Sequence, residues 1–466
     1  MKKLSLRNCQ CALAVLLLTL GCNEIEERMA WSPDGTRAFL RSGNELRLID
    51  TNGNISPVVV SNVESAAWLP DSKGLVLLRQ LTVANWSEAV QLLPSNEIAT
   101  VTSLARGIPD LLKGALAAAD GDAEAMDKKF FEPLGSDHAS KYISPALRYL
   151  LDTQPAALRE AVAGCKNAGK LENDLSNLST TTVAEISIFN IHLNQRSEVF
   201  HVIEHTIASL EQPRPSPSMP VVAFVRDDVL TVAPLDGSTN RVRIAEKVQG
   251  VYDWTPDGKS LVYAVPLADK WQPDLNLARI ERRTVIDAAG AMIETNPLPL
   301  ALIVAGFKPR VKSLPDGHLL FASLAHQFPT PAGAPQQSRL YAIDPSLGTN
   351  AVPVALPSAP GALPQDLAAF VPSPDGKQIA VVESGSDVVA VLDVATGALE
   401  VVSPNHGAKS RMLPAWRGND ELYFAAWPQP DSIRPELFRW RRGSAPQILS
   451  STWRDAVVTN LLEKSK

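Results

Sequence analysis

A short turn, written again and again, limits what this chain can become. Trp31-Ser32-Pro33-Asp34-Gly35-Thr36 returns as Trp68-Leu69-Pro70-Asp71-Ser72-Lys73-Gly74 and as Trp254-Thr255-Pro256-Asp257-Gly258-Lys259. Weaker copies are Ser313-Leu314-Pro315-Asp316-Gly317-His318 and Pro372-Ser373-Pro374-Asp375-Gly376-Lys377, and a worn one is Ala415-Trp416-Arg417-Gly418-Asn419-Asp420. Proline presets the first corner of a tight turn, aspartate can bond the backbone ahead of it, and glycine takes the positive φ that closes it. Apolar runs flank each copy, such as Met29-Ala30-Trp31 before and Ala38-Phe39-Leu40 after. Each copy therefore reads as the connection of a β-hairpin. The Pro-Asp pairs begin at 33, 70, 256, 315 and 374, with gaps of 37, 186, 59 and 59 residues. A four-stranded repeat takes about 40–50 residues. Most gaps hold one repeat with its loops, and the gap of 186 must hold added material.

The motif and its apolar flanks resemble the TolB-type, WD-like propeller repeat, whose pattern is roughly Trp-Ser-Pro-Asp-Gly followed by a short apolar strand. The resemblance covers most of the chain and concerns the scaffold. It implies an all-β fold, a β-propeller of about seven four-stranded blades, since each blade exposes two faces that only neighbouring blades can cover. Blade one runs from Met29 through Arg37–Leu40 and Glu45–Asp50 to a fourth strand at Ile55–Val60. Blade two begins at Ala66-Ala67-Trp68 and Leu75–Leu78, and there the β pattern stops. Over 92–169 the chain turns rich in Ala, Leu and Glu, with Ile108, Leu111, Leu112, Ala115 and Leu116 at helical spacing. That predicts a small α-helical insertion of three to five helices between strands two and three of blade two, with Pro109 and Pro155 in first turns. Blade three lacks the motif but keeps strands at Val221–Val225, Val229–Val232 and Arg241–Ile244. The predicted domains are a signal peptide at 1–21, a linker at 22–28, the propeller at 29–450 with its insertion, and a tail at 451–466.

The N-terminus carries Lys2, Lys3 and Arg7 and then an apolar run, Ala12 to Leu18, too short to span a bilayer. Leu18-Thr19-Leu20-Gly21-Cys22 resembles the bacterial lipobox, which implies cleavage after Gly21 and lipid on Cys22. Asn23 in the next position favours the outer membrane by analogy. Cys9 and Cys11 would leave with the signal, so Cys165 has no partner for an internal disulfide or a cysteine metal cluster. Removing the signal takes away three basic residues and no acid, so the net charge of −6 becomes −9. That balance argues against nucleic acid as a partner.

His201-Val202-Ile203-Glu204-His205 fits the H-x-x-E-H zinc signature, which needs both histidines on one face of a helix. The same residues continue a strand that blade two needs, and the strand reading is the one adopted; no metal and no cofactor are expected. The motif aspartates are turn-formers and the motif tryptophans core. No nucleophile elbow, P-loop or dinucleotide fingerprint is present in the sequence. In the resembling family, loops between strands two and three share one face with the connections between blades. Here those are the long loops, and they carry Trp271, His326, Phe328 and Trp427, aromatics able to stack on a partner or sugar. The expectation is a lipid-anchored, non-enzymatic envelope protein that binds another envelope protein, a small ligand or a glycan. The alternative is an envelope enzyme acting on glycans or peptides at the central channel.

Overall fold

The computed structural model describes residues 27–449 except 53, 120, 122–136, 192–199, 268–276, 305–308, 324–338, 358–366, 384–387, 404–411 and 430–435. Cys22 and the tail from 450 lie outside the described residues. So do the predicted aromatics Trp271, His326 and Phe328.

Among the described residues the strands form seven antiparallel sheets, each a meander in chain order. Sheet one holds β1 (Met29–Trp31), β2 (Arg37–Ser42) and β3 (Glu45–Asp50). Sheet two holds β4 (Val63–Trp68), β5 (Gly74–Val83), β6 (Thr181–Asn190) and β7 (Phe200–Thr206). Sheet three holds β8 (Leu210–Pro215), β9 (Val221–Arg226), β10 (Val229–Pro234) and β11 (Val242–Ala245). Sheet four holds β12 (Gln249–Trp254), β13 (Ser260–Leu267), β14 (Leu277–Thr284) and β15 (Leu298–Val304). Sheet five holds β16 (Val311–Ser313), β17 (Leu319–Ser323), β18 (Arg339–Ile343) and β19 (Val354–Ala355). Sheet six holds β20 (Leu367–Pro372), β21 (Gln378–Glu383), β22 (Val389–Asp393) and β23 (Leu399–Val401). Sheet seven holds β24 (Ala415–Arg417), β25 (Glu421–Ala426), β26 (Glu436–Arg441) and β27 (Gln447–Ile448). The fourth strand expected at Ile55–Val60 is reduced to two isolated bridges, Ile49 to Ile55 and Leu46 to Val60. Pro57 between them has no N–H to give a ladder.

The repeated turn owes its shape to its aspartate. Asp34 Oδ1 accepts from Ser32 Oγ at 2.6 Å and from the Thr36 N–H at 3.0 Å, while Gly35 takes φ 69°. Asp257 accepts from Thr255 Oγ1 and the Lys259 N–H at 2.6 and 3.0 Å, and Asp375 from Ser373 Oγ and the Lys377 N–H at 2.7 and 3.1 Å. In the second copy glycine is displaced by two residues, to Gly74, and Ser72 itself takes φ 61°.

Contacts divide the described chain into two compact units. The first comprises the residues up to Val60, Gln249–Asp287 and those from Thr295 on; the second is Ser61–Val248 with Ala288–Glu294. Within the first unit neighbouring sheets share cores: Ile280 and Phe321 join sheets four and five, Phe370 and Leu320 sheets five and six, Phe424 and Val391 sheets six and seven. Sheets seven and one share another, in which Trp31 packs on Tyr423 with ring centroids 5.3 Å apart. Trp416 donates its indole N–H to the Val371 carbonyl, tying sheet seven to sheet six. The motif tryptophans are thus core residues, each at least nine-tenths buried.

Within the second unit Phe224, Val222, Ile186 and Val76 join sheets two and three. Between β5 and β6, which pair directly over ten residues, stand five helices among the described residues. They are α1 (Trp86–Leu92), α2 (Ser95–Ala118), α3 (Asp137–Thr153), α4 (Pro155–Val162) and α5 (Ala168–Leu178). Helix therefore extends on both sides of the stretch 92–169 read from periodicity. The helices have their own core, in which Val101, Ala105, Ile108 and Leu112 of α2 meet Leu147 and Leu150 of α3 and Leu158 of α4. Pro155 opens α4 as expected, but Pro109 lies inside α2 and not in a first turn. The buried stripe of α2 runs unbroken across Pro109, and that packing offsets the one missing backbone bond.

Candidate functional site

Sheet three begins as a run of buried apolar residues and ends as a site. Val221–Val225 are buried along β9, and the strand emerges at Arg226. Arg226 pairs with Val229 across a two-residue connection, Asp227-Asp228, with φ of 49° and 62°. Left-handed backbone at both positions is the turn that matches strand twist, and it normally takes Asn-Gly. Two successive aspartates there carry strain. Lys247, after β11, is also left-handed at φ 56°.

These residues border a pocket of about 580 Å³ that lies wholly in the second unit. Its cations are Arg226, Arg241, Arg243 and Lys247, and its acids are Glu204, Asp227, Asp228 and Glu246. The inner charges are joined in a network. Glu204, 7 % exposed, accepts from Arg226 Nη1 at 2.9 Å on one oxygen and from Arg241 Nε at 2.7 Å on the other. Arg226 Nη2 also donates to Glu97 Oε1 of α2 at 2.7 Å. Glu97, 1 % exposed, accepts in addition from Thr206 Oγ1 and from the Ile207 N–H at 2.7 Å. Lys141 of α3 pairs with Asp227 Oδ2, whose other oxygen accepts from the Ser209 N–H. The helical segment is therefore docked on the pocket wall by two ionic links, Glu97–Arg226 and Lys141–Asp227.

The H-x-x-E-H segment is strand β7, so the helical face that a zinc site requires is not formed. Its members part ways. Glu204 belongs to the pocket. His201 is exposed beside Gly237, whose added Cβ would stand 2.8 Å from its Nε2. His205 Nε2 lies 2.8 Å from Glu185 Oε2. Glu185 also pairs with Arg79 at 3.1 Å and accepts from Ser187 Oγ at 2.8 Å. Burial alone would raise the Glu185 pKa, but His205, Ser187 and Arg79 outweigh it and hold the carboxyl below its ordinary value. Ser187 gives its proton to the carboxylate and not to the imidazole, so it is not an activated nucleophile.

Of the four predicted aromatics only Trp427 is described. It follows β25, half-buried, and its indole N–H is buried without a hydrogen-bond partner among the described residues. It belongs to the first unit and is not among the residues that line the pocket. Sequence reasoning placed β9 and β10 but passed over the turn between them. The available signal was a two-residue acidic connection between apolar runs, followed by Arg241, Arg243 and Lys247.

Seven successive antiparallel meanders, with neighbouring sheets sharing cores inside each unit, fit a β-propeller of seven blades. No family model matches the chain, and no curated protein sequence matches it. Among solved structures the chain is similar to TolB from Acinetobacter baumannii at 17 % identity, covering 55 % of this chain and 57 % of that one, with a TM-score of 0.36. It is similar to hydrazine synthase from Kuenenia stuttgartiensis at 12 % identity, covering 89 % and 95 %, TM-score 0.44. Hsv2 from Kluyveromyces lactis matches at 10 % identity over 91 % and 97 %, also at 0.44. The match spans little more than half of the TolB chain. At these identities and scores no function transfers, and the propeller assignment stands on the sheets themselves. No helix among the described residues is long and apolar enough to cross a membrane.

Proposed function

We propose that this chain is a cell-envelope protein, held at a bacterial outer membrane by lipid on Cys22, whose β scaffold presents a binding surface in its second unit. The observation that carries the binding role is the pocket of sheet three. Six of its eight wall charges are held in ion pairs, its hairpin is strained, and the helical segment is fastened to its edge by Glu97 and Lys141. Pre-organised polar groups on a rigid scaffold, with an insert beside them, are the build of a recognition site. With the helical insertion read as part of blade two, it extends that surface. The acidic chain favours a protein or small-ligand partner over nucleic acid.

The anchor is tested by metabolic labelling with a fatty-acid analogue and by membrane fractionation. Wild type should be labelled and sediment with membranes, and Cys22→Ala should lose both. An unlabelled protein that still partitions with membranes in both forms would sink the anchor. The binding role is tested by crosslinking in intact cells, comparing wild type with Arg241→Ala. An identical set of crosslinked partners in a correctly folded variant would remove the pocket from the proposal.

A further inference from the structure

We infer that the pocket of the second unit takes a small zwitterionic ligand, an amino acid or short peptide, with its ammonium at Asp228 and its carboxylate at Lys247. This rests on the reading of that pocket as a binding site. The volume of about 580 Å³ is that of a small-molecule site. Its eight charged lining residues balance, four cations against four acids. A ligand carrying one sign only would meet as many like as unlike charges there, whereas a dipolar ligand can meet unlike charge at both ends.

The inner charges are already spent. Glu204 uses one oxygen on Arg226 and the other on Arg241, and Arg226 divides its two terminal nitrogens between Glu204 and Glu97. Arg241 also donates to the Ser238 and Ile203 carbonyls. Asp227 is held by Lys141 and the Ser209 N–H, and at the exposed rim Arg243 pairs with Glu246 at 3.2 Å. What remains is one carboxylate and one ammonium, Asp228 and Lys247. Neither side chain makes a hydrogen bond or an ion pair among the described residues. Both are held on left-handed backbone, and the Val248 N–H donates to the Asp228 carbonyl at 3.0 Å, fixing the two segments side by side. Opposite charges set on one rigid frame that do not neutralise each other leave two places for a ligand to fill. Because both groups face solvent, each contact is individually weak, and recognition depends on engaging both at once.

Calorimetric titration of the full chain with L-alanyl-L-alanine tests this, alongside N-acetyl-L-alanyl-L-alanine and L-alanyl-L-alaninamide. The free dipeptide should bind, and capping either end should weaken binding roughly tenfold, the equivalent of about 1.4 kcal/mol. Asp228→Asn keeps a residue tolerant of positive φ and should remove the penalty for acetylation, while Lys247→Met should remove the penalty for amidation. Thermal melts of Lys247→Met should match wild type and those of Asp228→Asn should be no lower, since that change removes only the repulsion between Asp228 and Glu211. No binding of the dipeptide, equal binding of the capped forms, or unchanged discrimination in the two variants would overturn the ligand class. If the dipeptide fails but the variants lose a partner crosslinked in cells, the pocket remains a binding site and the zwitterion falls. If the variants change neither, both fall.

Discussion

Glu97 ties helix α2 to the charge network of the second unit's pocket. It is all but buried, and it satisfies a guanidinium, a hydroxyl and a backbone N–H at once. Glu97→Ala leaves the Thr206 hydroxyl and the Ile207 N–H without this acceptor and takes from Arg226 one of its two carboxylates, and leaving buried donors unpaired costs about 1–3 kcal/mol. Denaturant unfolding should show a loss of that size, with Glu97→Gln losing less because it can still accept from Thr206 and Ile207. At Glu185 the expected behaviour is a dependence on pH. Its folded carboxyl sits below the ordinary value of 4.5, so its contribution is present above that value and is lost as pH falls through the folded pKa. Wild type should therefore lose stability on acidification below about pH 4.5, and Glu185→Gln should flatten that part of the profile. A variant whose acid limb keeps the wild-type slope would contradict the assignment.

At the scale of elements, the repeated turn and the long helix respond in opposite directions to one substitution. Gly258 closes its turn at φ 68°, where an L side chain costs about 1–2 kcal/mol. Gly107 and Gly114 lie exposed in α2, with open space where a Cβ would go. Gly258→Ala should destabilise, whereas Gly107→Ala and Gly114→Ala should each stabilise by about 0.5–1 kcal/mol. Melting temperatures of the three single variants decide the matter. The turn was legible in the sequence because its cause is local: Asp34, Asp257 and Asp375 all bond backbone within their own turn. Pro109 shows the opposite case. Locally it argues for a helix start, but the core formed by Val101, Ala105, Ile108 and Leu112 carries the helix through it. Pro57 shows how one missing donor reduces an expected strand to isolated bridges.

At the scale of the molecule, the notable contact lies within the first unit, where sheet seven meets sheet one. Arg417 stacks over Trp31 at 4.7 Å and donates to the Gly35 carbonyl, reaching a turn 382 residues away in sequence. Trp31 is 8 % exposed and packs on Tyr423, so Trp31→Ala should cost about 3–5 kcal/mol. It should also lower the unfolding midpoint more than an Arg417→Ala change. Equal or smaller loss from Trp31→Ala would mean that the two sheets are not held together by this ring. Such a long-range contact is slow to form, because chain ends must meet before it stabilises anything.

The sequence by itself determined the repeat, the tight turns, most of the strands, and the place where the β pattern yields to helices. All of these follow from backbone preferences and apolar spacing within a dozen residues. The tertiary structure alone decided the site. Glu97, Glu204, Arg226 and Arg241 come from a helix, two strands and a connection, with up to 129 residues between bonded partners. No spacing rule marks them, since each is an ordinary charged residue until folding removes water around Glu97 and Glu204 and leaves the arginines as their partners. The H-x-x-E-H segment makes the same point in reverse. Its spacing carries meaning only on a helix, and pairing with β6 made it a strand that sends Glu204 to one network and His205 to another.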